Sequence, residues 1–276
     1  MNQIEKNIII GSLLGDGSLD LSGRSINARY REHGCDAQMD YRKWKAEQLK
    51  NLDFKFSDKG KYGRVYSPSR EVFTELYNIF YPNKIKVLTH ESVQMLDHPI
   101  GLACLYMDDG TLVMDTAKKV DRICVFPRIT IYTLNFTKDE NTILLNHIKN
   151  TFKVTFILKR HPDGHNYCLQ LNKVSEIMKF IDIVAPFVNQ IECMTYKINV
   201  KDRLSTKAEE LKYLYPSKKV YPSTLNRVDT SYSSQDEIKI IDMKNCGVTD
   251  KEIALKFNRS YWGMVDKIRR LRKANK

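Results

Sequence analysis

Two segments of this chain share one unusual design. Ile9-Ile10-Gly11-Ser12-Leu13-Leu14-Gly15-Asp16-Gly17 is an apolar, helix-like run with small residues inside it and an abrupt Asp-Gly ending. Leu102-Ala103-Cys104-Leu105-Tyr106-Met107-Asp108-Asp109-Gly110 repeats the pattern. An acid at the end of a buried helix is costly unless it has a partner or a task. That end is also the negative pole of the helix dipole, where an aspartate without a cation sits poorly. Two such ends imply an internal repeat that brings two carboxylates together. In a basic protein, paired carboxylates most simply hold a divalent metal against phosphate.

The charge balance supports that reading. There are 45 Lys and Arg against 33 Asp and Glu, a net charge of +12 over 276 residues. A balance of this kind favours a polyanionic partner. No apolar run approaches the roughly 18 residues that a membrane helix needs, so a membrane partner is not expected. The start Met1-Asn2-Gln3-Ile4-Glu5-Lys6 lacks a signal-peptide pattern. Six irregularly spaced cysteines form no CxxC pair and read as reduced thiols. We therefore expect a cytoplasmic location, in a bacterial or phage setting, or an organellar matrix, and no secretion.

Each motif is followed by the same succession of patterns. After the first, Ile26 to His33 alternates, with Asn27, Arg29, Arg31 and His33 on a polar face. A helix is expected from Gln38 to Leu49. Phe54 and Phe56 flank Lys55 in a strand pattern, Asp58-Lys59-Gly60-Lys61 turns the chain, and Arg64-Val65-Tyr66 returns. Ser69 to Tyr77 closes the unit as a helix. After the second motif, Ile123 to Phe126 and Arg128 to Thr133 are strand-like. Thr137-Lys138-Asp139-Glu140 is a capping box for a helix reaching Phe152. Val154 to Lys159 and Tyr167 to Asn172 alternate around a Pro162-Asp163-Gly164 turn, and Ser175 to Val184 ends at Pro186. Both halves spell α-β-β-α-β-β-α. The expected divisions are residues 1–96 and 97–200 for the two repeats, 201–234 for a basic linker, and 235–276 for a small all-α domain. In that tail, capping at Thr249 and Ser260 and a short Asn258-Arg259-Ser260 turn predict a helix-turn-helix unit. Its last helix carries Lys267, Arg269 and Arg270 as candidate DNA contacts.

The paired motifs resemble those of the LAGLIDADG homing endonucleases, specifically the single-chain, two-motif kind, over roughly residues 4 to 200. The resemblance implies an α+β fold in which a pseudo-twofold repeat of α-β-β-α-β-β-α units forms a DNA-binding saddle. The motif helices then pack against each other, with Gly11 and Gly15 allowing close approach on one side and Ala103 and Cys104 on the other. It implies that Asp16 and Asp109 deliver the catalytic carboxylates and hold Mg²⁺, for which Mn²⁺ can substitute. Gly15 and Asp108 belong to the metal-binding positions, with Asp108 free to cap the helix or reach solvent. Lys86 and Lys197 match lysines that tune the attacking water or the developing charge.

Strand faces of this kind fit adjacent major grooves. Arg29, Arg31 and Arg64 in the first half, with Arg128, Lys153, Lys159 and Gln170 in the second, are the candidate contacts. The expected function is Mg²⁺-dependent double-strand cleavage of a specific DNA site, leaving short 3′ overhangs, by a monomer. A Met start and the missing Cys/Ser start and His-Asn end of an intein favour an intron-encoded or free-standing enzyme. The alternatives are a maturase that binds intron RNA and a non-catalytic DNA-binding regulator on the same fold.

Overall fold

Both motif segments are helices, and each opens a run of elements in the same order. The computed structural model describes residues 1–21, 25–59, 62–225 and 232–274. The first run is α1 (Gln3–Leu14), β1 (Ser18–Asp20), β2 (Arg29–Gly34), α2 (Met39–Gln48), β3 (Lys55–Ser57), β4 (Gly63–Tyr66) and α3 (Glu71–Phe80). A short α4 (His90–Gln94), capped by Thr89, connects to the second run. That run is α5 (Pro99–Asp109), β5 (Gly110–Lys118), β6 (Arg122–Ile131), α6 (Lys138–Phe152), β7 (Ile157–Arg160), β8 (Tyr167–Leu171) and α7 (Val174–Val188). The strands run in the order β1-β2-β4-β3 in one sheet and β5-β6-β8-β7 in the other, with antiparallel pairing throughout both paths. The repeat expected from the sequence is therefore present at the level of topology.

Alternation sets which face of each sheet is buried. In β2, Tyr30 and Glu32 point inward while Arg29, Arg31 and His33 are exposed. Ile129, Ile131, Leu169 and Leu171 do the same for the second sheet. The core they join is continuous with α1 and α5, both of which are buried along almost their whole length. This explains why the motif helices read as uniformly apolar rather than amphipathic.

Several expectations are corrected. The stretch 201–234 is not a linker throughout. Residues Val200–Leu214 form α8 and Lys219–Pro222 form β9, which pairs in parallel with β6. Val200, Leu204, Ala208 and Leu211 are the buried face of α8, and only these few positions in fifteen carry the helical period. Strand β5 was not expected, since its outer half, Asp115 to Lys118, is polar. It forms because β6 pairs with it along its whole length. Helix α7 runs through Pro186 to Val188. Pro186 is exposed, so water can take the carbonyl that the missing N–H leaves free. The expected turn residues Gly60 and Lys61 lie outside the described residues.

The chain divides into two compact units, residues 1–227 and 228–276. The second contains α9 (Ser234–Asn245), α10 (Asp250–Lys256) and α11 (Tyr261–Ala274) around Ile240, Ile253, Ala254, Met264 and Ile268. Capping boxes at Ser233 and Thr249 start α9 and α10. The left-handed Asn258 makes the tight turn before α11. Among the described residues, no helix is long and apolar enough to cross a membrane.

Candidate active site

Helices α1 and α5 cross with backbone nearly touching backbone. A Cβ on Gly11 would fall inside the van der Waals radius of the Gly101 carbonyl, and one on Gly101 would lie 2.8 Å from the Asn7 carbonyl. Gly101, rather than Ala103 or Cys104, is thus the close-approach residue of the second helix. Asn7 locks the other end of the pair. Its amide donates to Asp97 Oδ1 at 2.6 Å, and its Oδ1 accepts from the Asp97 and His98 amides at 3.0 and 2.9 Å. This pairing brings the Asp-Gly ends of both helices to one place. A Cβ on Gly15 would lie 2.6 Å from Asp108 Cβ.

Around that place lies a charged cluster that the sequence reading missed. Arg42, fully buried on α2, donates through Nη2 to Asp16 Oδ2 at 2.7 Å. Its Nε lies 2.6 Å from Glu32 Oε1 and its Nη1 3.8 Å from Asp108 Oδ1. Lys45 donates to both oxygens of Glu32, at 2.8 and 2.9 Å, and to both of Asp108, at 2.9 and 3.1 Å. Tyr30 donates its hydroxyl proton to Glu32 Oε2 at 2.5 Å. Burial would push Glu32 up, but Lys45 and Arg42 outweigh it and hold it below the usual carboxylate range. Asp108 is pushed up to about 6, chiefly by burial and by Glu32, with Lys45 opposing. Its side chain is buried, so it does not reach solvent as expected. Asp16, Glu32 and Asp108 bring one carboxylate oxygen each within 4.8 Å of the others, and the cation among them is the Arg42 guanidinium.

The signal for this cluster was present. Glu32 falls on the same parity as buried Tyr30, and Arg42 and Lys45 share the helical face of Tyr41 and Trp44. Reading charges as solvated by default hid it.

The two expected lysines do reach the helix ends. Lys86 Nζ donates to the carbonyls of Gly17 at 2.8 Å and Gly15 at 3.3 Å, beyond the end of α1. Lys197 is buried at the end of a 3₁₀ turn, Glu192–Lys197. Its Nζ donates to the carbonyls of Met107 at 2.5 Å and Tyr106 at 3.4 Å, in the last turn of α5. Each repeat therefore sends one ammonium to the negative pole of its own motif helix. Burial lowers both amines to about 8, against the pull of the nearby aspartates. Asp109 is raised to about 7, first by burial and then by Asp16 and Asp108. Asp109 thus senses the charge of Asp16. Of these two, Asp16 has a direct ion-pair partner among the described residues, Arg42, while its side chain stays 35% exposed.

The candidate DNA contacts divide. Arg29, Arg31 and Arg64 share the open face of the first sheet with Lys55, His33 and Tyr66. Arg29 donates to Asp20 Oδ2 at 3.1 Å, and Arg31 lies 3.6 Å from it. Arg128 is on the open face of the second sheet, but Asp115 takes its Nε at 2.6 Å and Thr130 its Nη1 at 2.7 Å. Lys159 and Gln170 share that face through the β6, β8 and β7 registers. Lys153 does not belong there. It is the left-handed cap of α6, ahead of β7, and donates to the Asn150 carbonyl at 2.7 Å. In the small unit, Lys267 is likewise corrected. It turns toward α9 and donates to Glu237 at 2.5 Å, so it is not on the open face. Arg269 and Arg270 are exposed, and Asp266 holds each at 2.6 Å.

The chain is 25% identical over 220 residues to DNA endonuclease I-ChuI of Chlamydomonas applanata, covering 72% of this chain and 96% of that one. It is 27% identical over 195 residues to Protein RecA of Mycolicibacterium flavescens, covering 69% of this chain. The chain spans under half the length, 45%, of that RecA protein. Homing endonuclease I-WcaI, solved bound to its DNA recognition sequence, superposes with a TM-score of 0.58 at 18% identity, over 71% of this chain and 86% of that one. Meganuclease I-AabMI, bound to uncleaved DNA, superposes at 0.51 and 12% identity, over 79% and 98%. These structural likenesses establish the shared fold. A sequence model of the LAGLIDADG DNA endonuclease family matches residues 6–205, most of the chain, and the protein belongs to that family.

Proposed function

We propose that this chain is a site-specific DNA endonuclease that requires Mg²⁺, breaks both strands, and leaves short 3′ overhangs. One observation carries the reading. Two helices that lead into Asp-Gly pairs, crossed on Gly11 and Gly101, bring Asp109 within electrostatic reach of Asp16, each helix end matched by its own lysine. The donor set fits a hard divalent cation. Asp16 raises the cost of charge on Asp109, and a cation bound by both carboxylates would relieve it. Mn²⁺ satisfies the same donors. When bound, such an ion polarises the scissile phosphate and lowers the pKa of a water nucleophile.

The chain's own residues supply the rest. Arg42 fixes the Asp16 carboxylate from behind. Lys86 and Lys197, lowered to about 8, are poised to carry a proton or to counter the charge that develops on phosphate. Asp108 is already matched by Lys45, so we place its carboxylate behind the site rather than on the metal. No covalent intermediate is required. The open faces of the two sheets supply the base and phosphate contacts, and the exposed arginines of α11 add to them. The chain acts as a monomer, since one chain holds both motifs.

A second reading has one observation in its favour. The grip of Arg42 on Asp16 would suit a regulator that binds DNA without cutting it. Plasmid cleavage separates the two. A supercoiled plasmid carrying a selected target should become linear in Mg²⁺ with the parent chain, and stay intact with Asp16→Asn or Asp109→Asn. Intact plasmid with the parent chain, with duplex still bound, would favour the regulator. Tighter binding of intron RNA than of duplex would favour a maturase, whose setting would be intron-encoded.

A further inference from the structure

We infer that β9 is an added recognition strand, which carries the DNA contact surface of the second repeat outward along β6. The inference rests on the endonuclease reading above, and it assigns a role to residues outside the repeated unit.

The sheet register makes the case. Strand β8 pairs with β6 only at Ile129–Ile131, which leaves the outer part of that edge of β6 without β8. Strand β9 fills it, with Arg122 opposite Lys219, Ile123 opposite Val220 and Cys124 opposite Tyr221. Alternation then assigns the faces. Val220 packs inward with Ile123, Val125 and the α8 residues Leu204 and Leu211. Lys219 and Tyr221 therefore lie on the opposite face, the one shared by Arg122 and Arg128. All three outer residues are accessible. Lys219 is exposed, Tyr221 is 49% exposed, and the Arg122 side chain is 46% exposed.

Charge gives the strand a reason beyond covering an edge. The open face of the first sheet carries Arg29, Arg31 and Arg64, the first two beside Asp20. On the second, Arg128 is held by Asp115, Lys159 lies across the sheet on β7, and the outer end of β6 has Arg122 as its cation. A strand that served only to anchor α8 would need Val220 alone. Its outward residues are instead a cation and a partly exposed aromatic beside Arg122, a pairing suited to a phosphate and to a sugar or base face. The partner is duplex DNA at the outer flank of one half-site.

The test uses the full chain and a duplex recovered by selection from a randomised pool. Each lost phosphate contact should lower the slope of log affinity against log salt by about 0.9. The double variant Arg122→Ala/Lys219→Ala should therefore lose about 1.8 from that slope. It should also lose protection at one outer flank of the footprint only. Tyr221→Ala should weaken binding at that same flank, with Tyr221→Phe restoring it. Melting curves equal to the parent's would show that β9 is still in place; should the double variant melt early, Lys219→Gln gives the same readout with about half the slope change. An unchanged slope and an unchanged footprint would overturn the inference while leaving the endonuclease reading intact. A parent chain that selects no duplex would overturn both.

Discussion

Both motif helices lead into an Asp-Gly pair, and the two ends differ in what surrounds the aspartate. Behind Asp16 stand Arg42, Glu32 and Lys45, all buried and mutually paired. In the second repeat Thr133 and Asn141 pair with each other and with nearby backbone, Thr130 accepts from Arg128, and the buried cation, Lys197, is met by backbone carbonyls of α5 rather than by a carboxylate. Asp16 is thus held by a guanidinium, whereas Asp109 is half-buried beside two other acids and drawn toward neutrality. The comparison teaches that a repeated topology fixes where the carboxylates arrive, while the side chains packed around each end decide what holds it. One carboxylate is organised before any ligand binds; the other, on the proposed reading, would be completed by a cation.

Removing either carboxylate should have the largest effect. Asp16→Asn and Asp109→Asn should each lower double-strand cleavage by at least ~10³-fold, the scale of a lost Lewis-acid interaction worth several kcal/mol. Duplex affinity, measured by gel shift, should stay within a few-fold of the parent. Undiminished cutting by either variant would break the assignment.

Next comes the buried network. Lys45→Met leaves Glu32 and Asp108 without their shared ammonium and should cost about 3–5 kcal/mol in chemical denaturation. Thr130→Val, on the second side, removes one neutral hydroxyl and should cost only ~1 kcal/mol. Equal costs would contradict the claimed asymmetry.

The pH response should also be one-sided. Asp109 is raised to about 7, above its unfolded value near 4. Between those limits the folded chain holds a proton that the unfolded chain has released. That contribution to stability is present at the acid end and lost as pH rises through about 7. Asp109→Asn stays neutral, so it should raise stability at about pH 8 by up to about 4 kcal/mol, seen as a higher Tm, with a smaller rise near pH 5. A lower Tm at pH 8 would refute the direction of the shift. Since metal binding must expel that proton, Mg²⁺ affinity should climb with pH below about 7 and level off above it.

Much of this was legible in the sequence, and the failures share a cause. The two motifs and the capping boxes at Thr137 and Thr249 are local signals, and their helices formed where the signals lay, whereas the strand signals at Ile123–Phe126 and Arg128–Thr133 merged into one strand, β6. Lys86 and Lys197 were placed by resemblance, and both reach the helix ends. What stayed hidden depends on contacts distant in sequence. Arg42 and Lys45 look like surface charges until β2 brings Glu32 beside them. Gly101 looks like an ordinary helical glycine until α1 crosses it. Strand β9 has no pattern of its own and exists because β6 offers it an edge. Lys267 sits in a basic stretch yet is claimed by Glu237.

The most direct test of the central claim is cleavage of a randomised-site plasmid library, with Mg²⁺ and with Ca²⁺, followed by sequencing of the broken ends. The account predicts discrete cuts that need Mg²⁺, leave short 3′ overhangs, and vanish with Asp16→Asn and with Asp109→Asn. Library DNA that is bound but never cut in Mg²⁺ would contradict it.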